Sequence, residues 1–361
     1  MLETQTSAAN KAMGTISSKG FAATSATAQL APWNFERRAP GPHDVQIEIR
    51  YCGVCHTDIH LLRNDWGISV YPIVPGHEIV GVVSKVGDHV RNFKEGDLVG
   101  VGCMVDSCRV CDSCNNGEQQ YCHNGMTLTY NGIEKETGNI TYGGYSNNIV
   151  VNEDFVLRVS DKLPLEAVAP LLCAGITTYS PMRRWNIGKG HKVAVLGLGG
   201  LGHMAVKFAA SFGAEVTVLS TSPHKEGDAR RLGAHHFVVT SNEEQVQKVA
   251  KKFDFILDTV ALKHNDDFYL NMLKTKGTLI CLGVPAEPRE IGWYPLQFQG
   301  RVVAGSIIGG IAETQEMLDY CAEHNITSDI ELISMQDIHK AYGRMEKSDV
   351  KYRFVIDMAT L

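Results

Sequence analysis

The feature that most confines the fold is six residues long: Gly197-Leu198-Gly199-Gly200-Leu201-Gly202. It follows the apolar run Lys192-Val-Ala-Val-Leu196 and opens a helical stretch over residues 201–212. Strand, glycine turn and helix in that order let a pyrophosphate approach the backbone at the positive end of a helix. Beyond it, residues 215–220, 237–240, 253–258 and 278–282 read as strands. Residues 225–232 and other segments between them read as helix. Such alternation predicts βαβ units and a doubly wound parallel sheet of the α/β class.

About 20 residues past the glycines, an NAD enzyme carries Asp or Glu for the ribose 2′-hydroxyl. Here Ser220, Thr221 and Ser222 occupy that place, followed by Lys225. Hydroxyls and an ammonium group suit a 2′-phosphate, which predicts NADP(H). One of these hydroxyls can cap a helix at the same time.

The N-terminal half has another grammar. Val45, Ile47 and Ile49 alternate as in a half-buried strand, and residues 79–101 hold short Val-rich segments broken by glycine, predicting a compact barrel-like β region. Seven of the ten cysteines lie between Cys52 and Cys122. Cys108, Cys111, Cys114 and Cys122 share a polar loop, and four thiolates at that spacing close a tetrahedron around Zn²⁺, leaving no open position. That is a structural zinc site, the metal replacing a core the loop lacks. A second donor set is Cys55, His77 and the distant Cys173: two thiolates, one imidazole and one open position, as a catalytic zinc needs. Cys52 competes with Cys55, and spacing does not choose between them.

Composition excludes some classes of partner. Against 34 basic residues stand 40 acidic ones, a net charge of −6, which argues against nucleic acid or an anionic membrane surface. No run approaches the roughly 20 apolar residues of a membrane span. Residues 1–20 lack the apolar segment of a secretory signal and read as a loose tail before the first strand. Clustered cysteines in such a chain predict a cytoplasmic metal-binding protein.

Several motifs then fall into a family order. Gly53-Val-Cys-His-Thr-Asp58, Gly76-His-Glu-x2-Gly81-x5-Gly87 and the four-cysteine loop come first. Cys173-Ala-Gly-Ile-Thr-Thr-Tyr179, the glycine turn through Met204, and Lys351-Tyr-Arg-Phe-Val-Ile-Asp357 follow. Together they resemble the zinc-dependent medium-chain alcohol dehydrogenases, in the cinnamyl alcohol dehydrogenase branch with its NADP-dependent aldehyde reductases. The resemblance implies a GroES-like catalytic domain over residues 1–172 and 311–361 with both zinc sites, and a Rossmann domain over 173–310. It implies Cys55 as the ligand with His77 and Cys173, and Glu78 as an occasional alternative. Thr57 and His60 match proton-relay positions, His56 and Arg353 lie toward the pyrophosphate, and Thr177 lies near the nicotinamide. Glycines 197, 199, 200 and 202, with Leu201, would line the cofactor.

The expected activity is reversible reduction of aldehydes to primary alcohols with NADP(H) and two zinc ions per chain, in a homodimer. Residues 123–128 contain no tryptophan, which argues against cinnamyl alcohols as the natural substrate and leaves Trp66 and Cys103 as pocket residues. An NAD-dependent polyol or secondary-alcohol dehydrogenase shares most of these motifs. A zinc and nucleotide binder without turnover is the rival outside enzymes.

Overall fold

Residues that alternate or run apolar over four to ten positions assemble here into two large sheets. The computed structural model describes residues 14–361 except Ala286. Six parallel strands form one sheet, in the spatial order His236–Val239, Glu215–Ser220, Lys192–Leu196, Phe253–Asp258, Leu273–Cys281, Val302–Gly305. The order reverses between Lys192–Leu196 and Phe253–Asp258, and the crevice outside such a reversal is where doubly wound sheets take ligands. Val193, Ala194 and Val195 are wholly buried, as a strand covered on both faces requires.

The second sheet is mixed and draws strands from both ends of the chain. Asp44–Gly53 pairs antiparallel with Ile79–Val86, Asn148–Asn152 and the C-terminal strand Arg353–Asp357. Ile330–Ser334 lies parallel to Arg353–Asp357 at one edge, and Leu98–Val101 and Leu157–Arg158 continue the other. The chain therefore leaves this sheet, builds the parallel one and returns. No helix among the described residues is long and apolar enough to cross a membrane.

The expected loose tail is a correction. Thr15–Ala22 is a strand paired along its whole length with Ala31–Arg38. The amide of Phe21 donates to the Tyr145 carbonyl at 2.9 Å, and that of Asn147 to the Lys19 carbonyl at 3.0 Å. Ser, Lys and Gly give this strand little apolar alternation; its stability comes from partners far along the chain. Residues 1–13 lie outside the described part. Two boundaries also shift. The strand expected over 278–282 begins at Leu273, and the helix expected from 225 is Glu226–Arg231 after a 3₁₀ turn at Pro223–Lys225.

The helix Ala174–Arg184 packs on the helix Gly200–Ser211 through an edge-to-face contact of Tyr179 and Phe208, centroids 5.3 Å apart. At the seam between the sheets, His203 stacks on Tyr352 at 5.1 Å and its Nε2 lies 3.0 Å from Ser328 Oγ. Burial holds the His203 pKa at about 3, so the ring is neutral there.

The glycine turn is as tight as its composition implies. Gly197 has φ +88°, and a Cβ on Gly202 would sit 2.1 Å from the Gly197 carbonyl oxygen. Gly202→Ala is therefore expected to cost about 1–3 kcal/mol in a urea melt, the scale of an overpacked site. Dinucleotide affinity should fall with it, and an unchanged melt would show that the turn has slack.

Candidate zinc and dinucleotide sites

Cys55 ends the strand side of a tight entry into the helix His56–Arg63 and is that helix's N-cap. Asp58, three residues on, is fully buried. Its carboxylate accepts the Cys55 N–H at 2.8 Å and the Gly76 N–H at 3.1 Å. Tyr145 donates its hydroxyl to the same carboxylate at 3.3 Å. One acid thus ties the Cys55 turn to the loop carrying His77, whose Nδ1 lies 3.6 Å from Asp58 Oδ1. Burial raises the Asp58 pKa, against which the His77 ring and the donated N–H groups favour the charged form.

The donors converge. Ligand atoms of Cys55, His77, Glu78 and Cys173 all lie within 4.8 Å of one another, and all four residues are buried. Cys55 Sγ stands 3.9 Å from Cys173 Sγ. Two thiolates on one tetrahedral zinc, each at about 2.3 Å, are about 3.8 Å apart. His77 Nε2 is buried without a hydrogen-bond partner. An orphaned imidazole nitrogen beside two sulfurs at zinc spacing fits a metal ligand set. Cys52 stands outside it: fully buried, its thiol donates to the Gly53 carbonyl at 3.5 Å, and burial pushes its pKa well up.

Glu78 reaches the other way. One carboxylate oxygen pairs with the Arg353 guanidinium, while Oε2 is buried without a partner. Burial pushes the Glu78 carboxyl up to about 8 despite that arginine. Arg353 also covers Gly200, where a Cβ would meet its Nη1 at 2.8 Å. The Cys55, His77, Glu78 and Cys173 cluster and the helix Gly200–Ser211 thus share a residue.

Thr57 is half-buried, its Oγ1 3.6 Å from Cys55 Sγ. The helix begins one residue before it and Asp58 supplies the reciprocal capping bond, so Thr57 lies inside the first turn with its hydroxyl not used as the cap. His60 follows on the same helical face, its Nδ1 2.8 Å from Asp65 Oδ2 and its ring 5.0 Å from that of Trp66. His56 is exposed at the first helical position. Thr177 is buried one turn after Cys173 and donates its N–H to the Cys173 carbonyl at 2.9 Å. Cys103 lies against Cys173, and a hydrogen bond to that thiol draws its pKa down.

In the polar loop, sulfurs of Cys108, Cys111, Cys114 and Cys122 form a second group within 4.8 Å, with Cys108 and Cys114 at 3.8 Å. Backbone N–H groups point at these sulfurs, from Cys108 to Cys122 at 3.3 Å and from His123 to Cys111 at 3.4 Å. Donors of this kind, from Val110 and Cys111, draw the Cys108 pKa down to about 6. At the other site, Gly199 is open, with no atom within 4 Å of where a Cβ would stand. Leu201 is half-buried in the first turn of the helix. Lys225 Nζ donates to the Leu198 carbonyl at 3.0 Å, which puts its ammonium beside the glycine turn. Ser220 Oγ accepts from the Ser222 N–H at 3.1 Å, and Thr221 is exposed.

Two features escape sequence reasoning. Asp58 is one; its spacing of three from Cys55 is that of a capping box, the available signal. The other is a group of two buried acids, Asp258 and Asp266, with the half-buried His264, at the end of a central parallel strand. Arg289 Nη1 lies 2.6 Å from Asp258 Oδ2 and 3.1 Å from His264 Nε2. The guanidinium already supplies the cation there, so the group ties two loops together rather than holding a metal.

Comparison with known proteins places this geometry. Residues 41–161 match the alcohol dehydrogenase GroES-like domain, and residues 200–323 match the zinc-binding dehydrogenase family. An NADP-dependent alcohol dehydrogenase C of Mycolicibacterium smegmatis is 55% identical over 97% of the chain and 99% of its own length. A probable cinnamyl alcohol dehydrogenase of Oryza sativa is 51% identical over 94% of the chain and 95% of its own length. A solved cinnamyl alcohol dehydrogenase from Sorghum bicolor superposes with TM-score 0.93 at 47% identity, covering 95% of this chain and 98% of that one. The Helicobacter pylori enzyme complexed with NADP(H) has TM-score 0.91 at 43% identity, covering 96% and 99%.

The two thiolate groups predict separable metals. Metal analysis of pure protein is expected to find two zinc ions per chain. Cys111→Ser should lose one and melt at lower temperature, because the loop loses its cross-link. Cys173→Ser should keep the parent melt while losing turnover. One zinc in fully active protein would contradict this assignment.

Proposed function

The chain belongs to the zinc-dependent alcohol dehydrogenases with a GroES-like domain, and from that premise we propose how its residues interconvert aldehydes and primary alcohols with NADP(H). The observation that carries the proposal is the Arg353 bridge. It joins the Cys55, His77 and Cys173 cluster to the helix that receives a pyrophosphate. Cys55, His77 and Cys173 would hold the catalytic zinc, with Glu78 in reserve, and Cys108, Cys111, Cys114 and Cys122 the structural one. When bound, zinc polarises the substrate oxygen and the nicotinamide carries the hydride.

The side chains do the rest. Gly197, Gly199, Gly200 and Gly202 leave room for the pyrophosphate, Leu201 lines the turn, and Arg353 and His56 offer it positive charge or N–H donors. Thr177 faces the nicotinamide from the turn after Cys173. Ser220, Thr221, Ser222 and Lys225 receive the 2′-phosphate. Thr57, beside the Cys55 sulfur, hands a proton to the substrate oxygen, and His60 exchanges it with solvent. Trp66 and Cys103 wall the substrate pocket. The NAD-dependent polyol or secondary-alcohol reading is not favoured, since no carboxylate stands at 220–222 and the relatives above are named for NADP.

Three coarser assignments go with this. The catalytic unit is residues 1–172 with 311–361, and the nucleotide unit 173–310, in keeping with the chain's return to the mixed sheet. Homodimerisation is proposed through the edge strand Val302–Gly305, beside which Trp293, Tyr294 and Phe298 are exposed. A cytoplasmic setting keeps all ten cysteines, which are free, available as thiolates.

The direct test is NADPH oxidation against aliphatic, aromatic and sugar aldehydes; no turnover on any would leave only a binding protein. Lys225→Ala is expected to weaken NADPH by about 1–3 kcal/mol, the worth of a charge-assisted bond, with NADH little changed. Equal losses of kcat/KM for both cofactors would remove Lys225 from the phosphate site. For the relay, Thr57→Ser should remain near the parent, and Thr57→Val should lose about 10²-fold or more in kcat. Folded, zinc-replete Thr57→Val turning over like the parent from about pH 6 to 9 would end the relay assignment.

A further inference from the structure

The C-terminal motif holds one residue that the chemistry above leaves idle, Lys351. Its two successors lie along the nucleotide helix. Tyr352 stacks on His203, and Arg353 covers Gly200. Lys351 itself points its ammonium across the seam to Asp228, with Nζ 2.7 Å from Oδ2. Asp228 belongs to the helix Glu226–Arg231, three residues after Lys225 and so within the segment that follows the Ser220–Ser222 hydroxyls.

Charge at this spot does not balance. Lys225 bonds a carbonyl, and no carboxylate pairs with it among the described residues. Lys351 and Arg231 both approach Asp228, Arg231 at 3.7 Å while its other nitrogen holds Asp329 at 2.7 Å. Burial lowers the Lys225 pKa, the Asp228 carboxylate acts against this, and repulsion from Lys351 adds to it, so both charges of the Lys351–Asp228 pair reach Lys225. A phosphate monoester near neutral pH carries a charge of about −1.5 to −2. One lysine leaves that charge half-neutralised, and Arg231 stays beside Asp228 if Lys351 moves off it. The Lys351 side chain is 69% exposed, so it is free to swing from the acid toward an arriving anion.

We propose that Lys351 is a second cation of the 2′-phosphate site, brought by the C-terminal segment so that the phosphate is read from both sides of the seam. The proposal rests on the assignment of Ser220–Lys225 to that phosphate. It gives the segment 351–353 one task, holding the dinucleotide at its 2′-phosphate through Lys351 and at its pyrophosphate through Arg353.

Both kinetics and binding test it, with the zinc-loaded enzyme and its Lys351→Ala, Lys351→Arg, Lys225→Ala and Asp228→Asn variants. Lys351→Ala should lower the NADPH-to-NADH ratio of kcat/KM by about tenfold, the scale of one charge-assisted contact. Calorimetric affinity for adenosine 2′-monophosphate should fall alongside, and that for adenosine 5′-monophosphate should not. Lys351→Arg should restore most of the ratio, and Asp228→Asn should raise it. A ratio unmoved by Lys351→Ala but lowered by Lys225→Ala would overturn the proposal and leave the underlying assignment standing. Ratios unmoved by both would overturn the two together. Equal loss with NADPH and NADH would show Lys351 to be a structural contact only.

Discussion

A single buried carboxylate sets the geometry on which the rest depends. Asp58 accepts N–H groups from both Cys55 and Gly76, so two loops 21 residues apart are locked in one arrangement. Taking a carboxylate out of water is costly, and here several donors and the neighbouring imidazole offset the cost. Without that lock, a thiolate and an imidazole at the head of a helix and the end of a loop would not share one point in space. Cys173 completes the set from the start of another helix, on which Thr177 and Tyr179 follow.

The second joint is the ion pair of Glu78 and Arg353, both buried. A buried pair is weak evidence for stability, because desolvation consumes much of the attraction. Its value here is positional. Arg353 starts the strand that pairs with Asp44–Gly53, so the guanidinium is carried by the same sheet that carries Cys52 and, just beyond, Cys55. The same guanidinium touches Glu78 on one side and Gly200 of the helix Gly200–Ser211 on the other.

The sequence made the two chemical groups legible to different depths. The glycine turn could be read because its neighbours switch from a strand to a helical pattern, and sterics allow only glycine at a contact as close as Gly202 to Gly197. The four-cysteine loop could be read because its ligands are close in the chain. Choosing Cys55 over Cys52 needed the resemblance, since the two differ in which way a turn points them. Asp58 was hidden because a lone acid after a helix start looks like any cap, and its second partner, Gly76, lies in another loop. The hairpin Thr15–Ala22 was hidden for a related reason: its pairing and its bonds to Tyr145 and Asn147 are tertiary, and its own residues are polar. Lys351 and Asp228 meet only because the chain returns.

Zinc-edge X-ray absorption on the as-purified enzyme tests the central claim, that Cys55, His77 and Cys173 hold a metal with one position open. With one all-sulfur site and one such site, the average shell should contain about three sulfurs at about 2.3 Å and one nitrogen or oxygen at about 2.0–2.1 Å per zinc. A shell of four sulfurs, with no light ligand, would mean that the metal sits in the cysteine loop alone. The site built on Asp58 would then not be the metal centre.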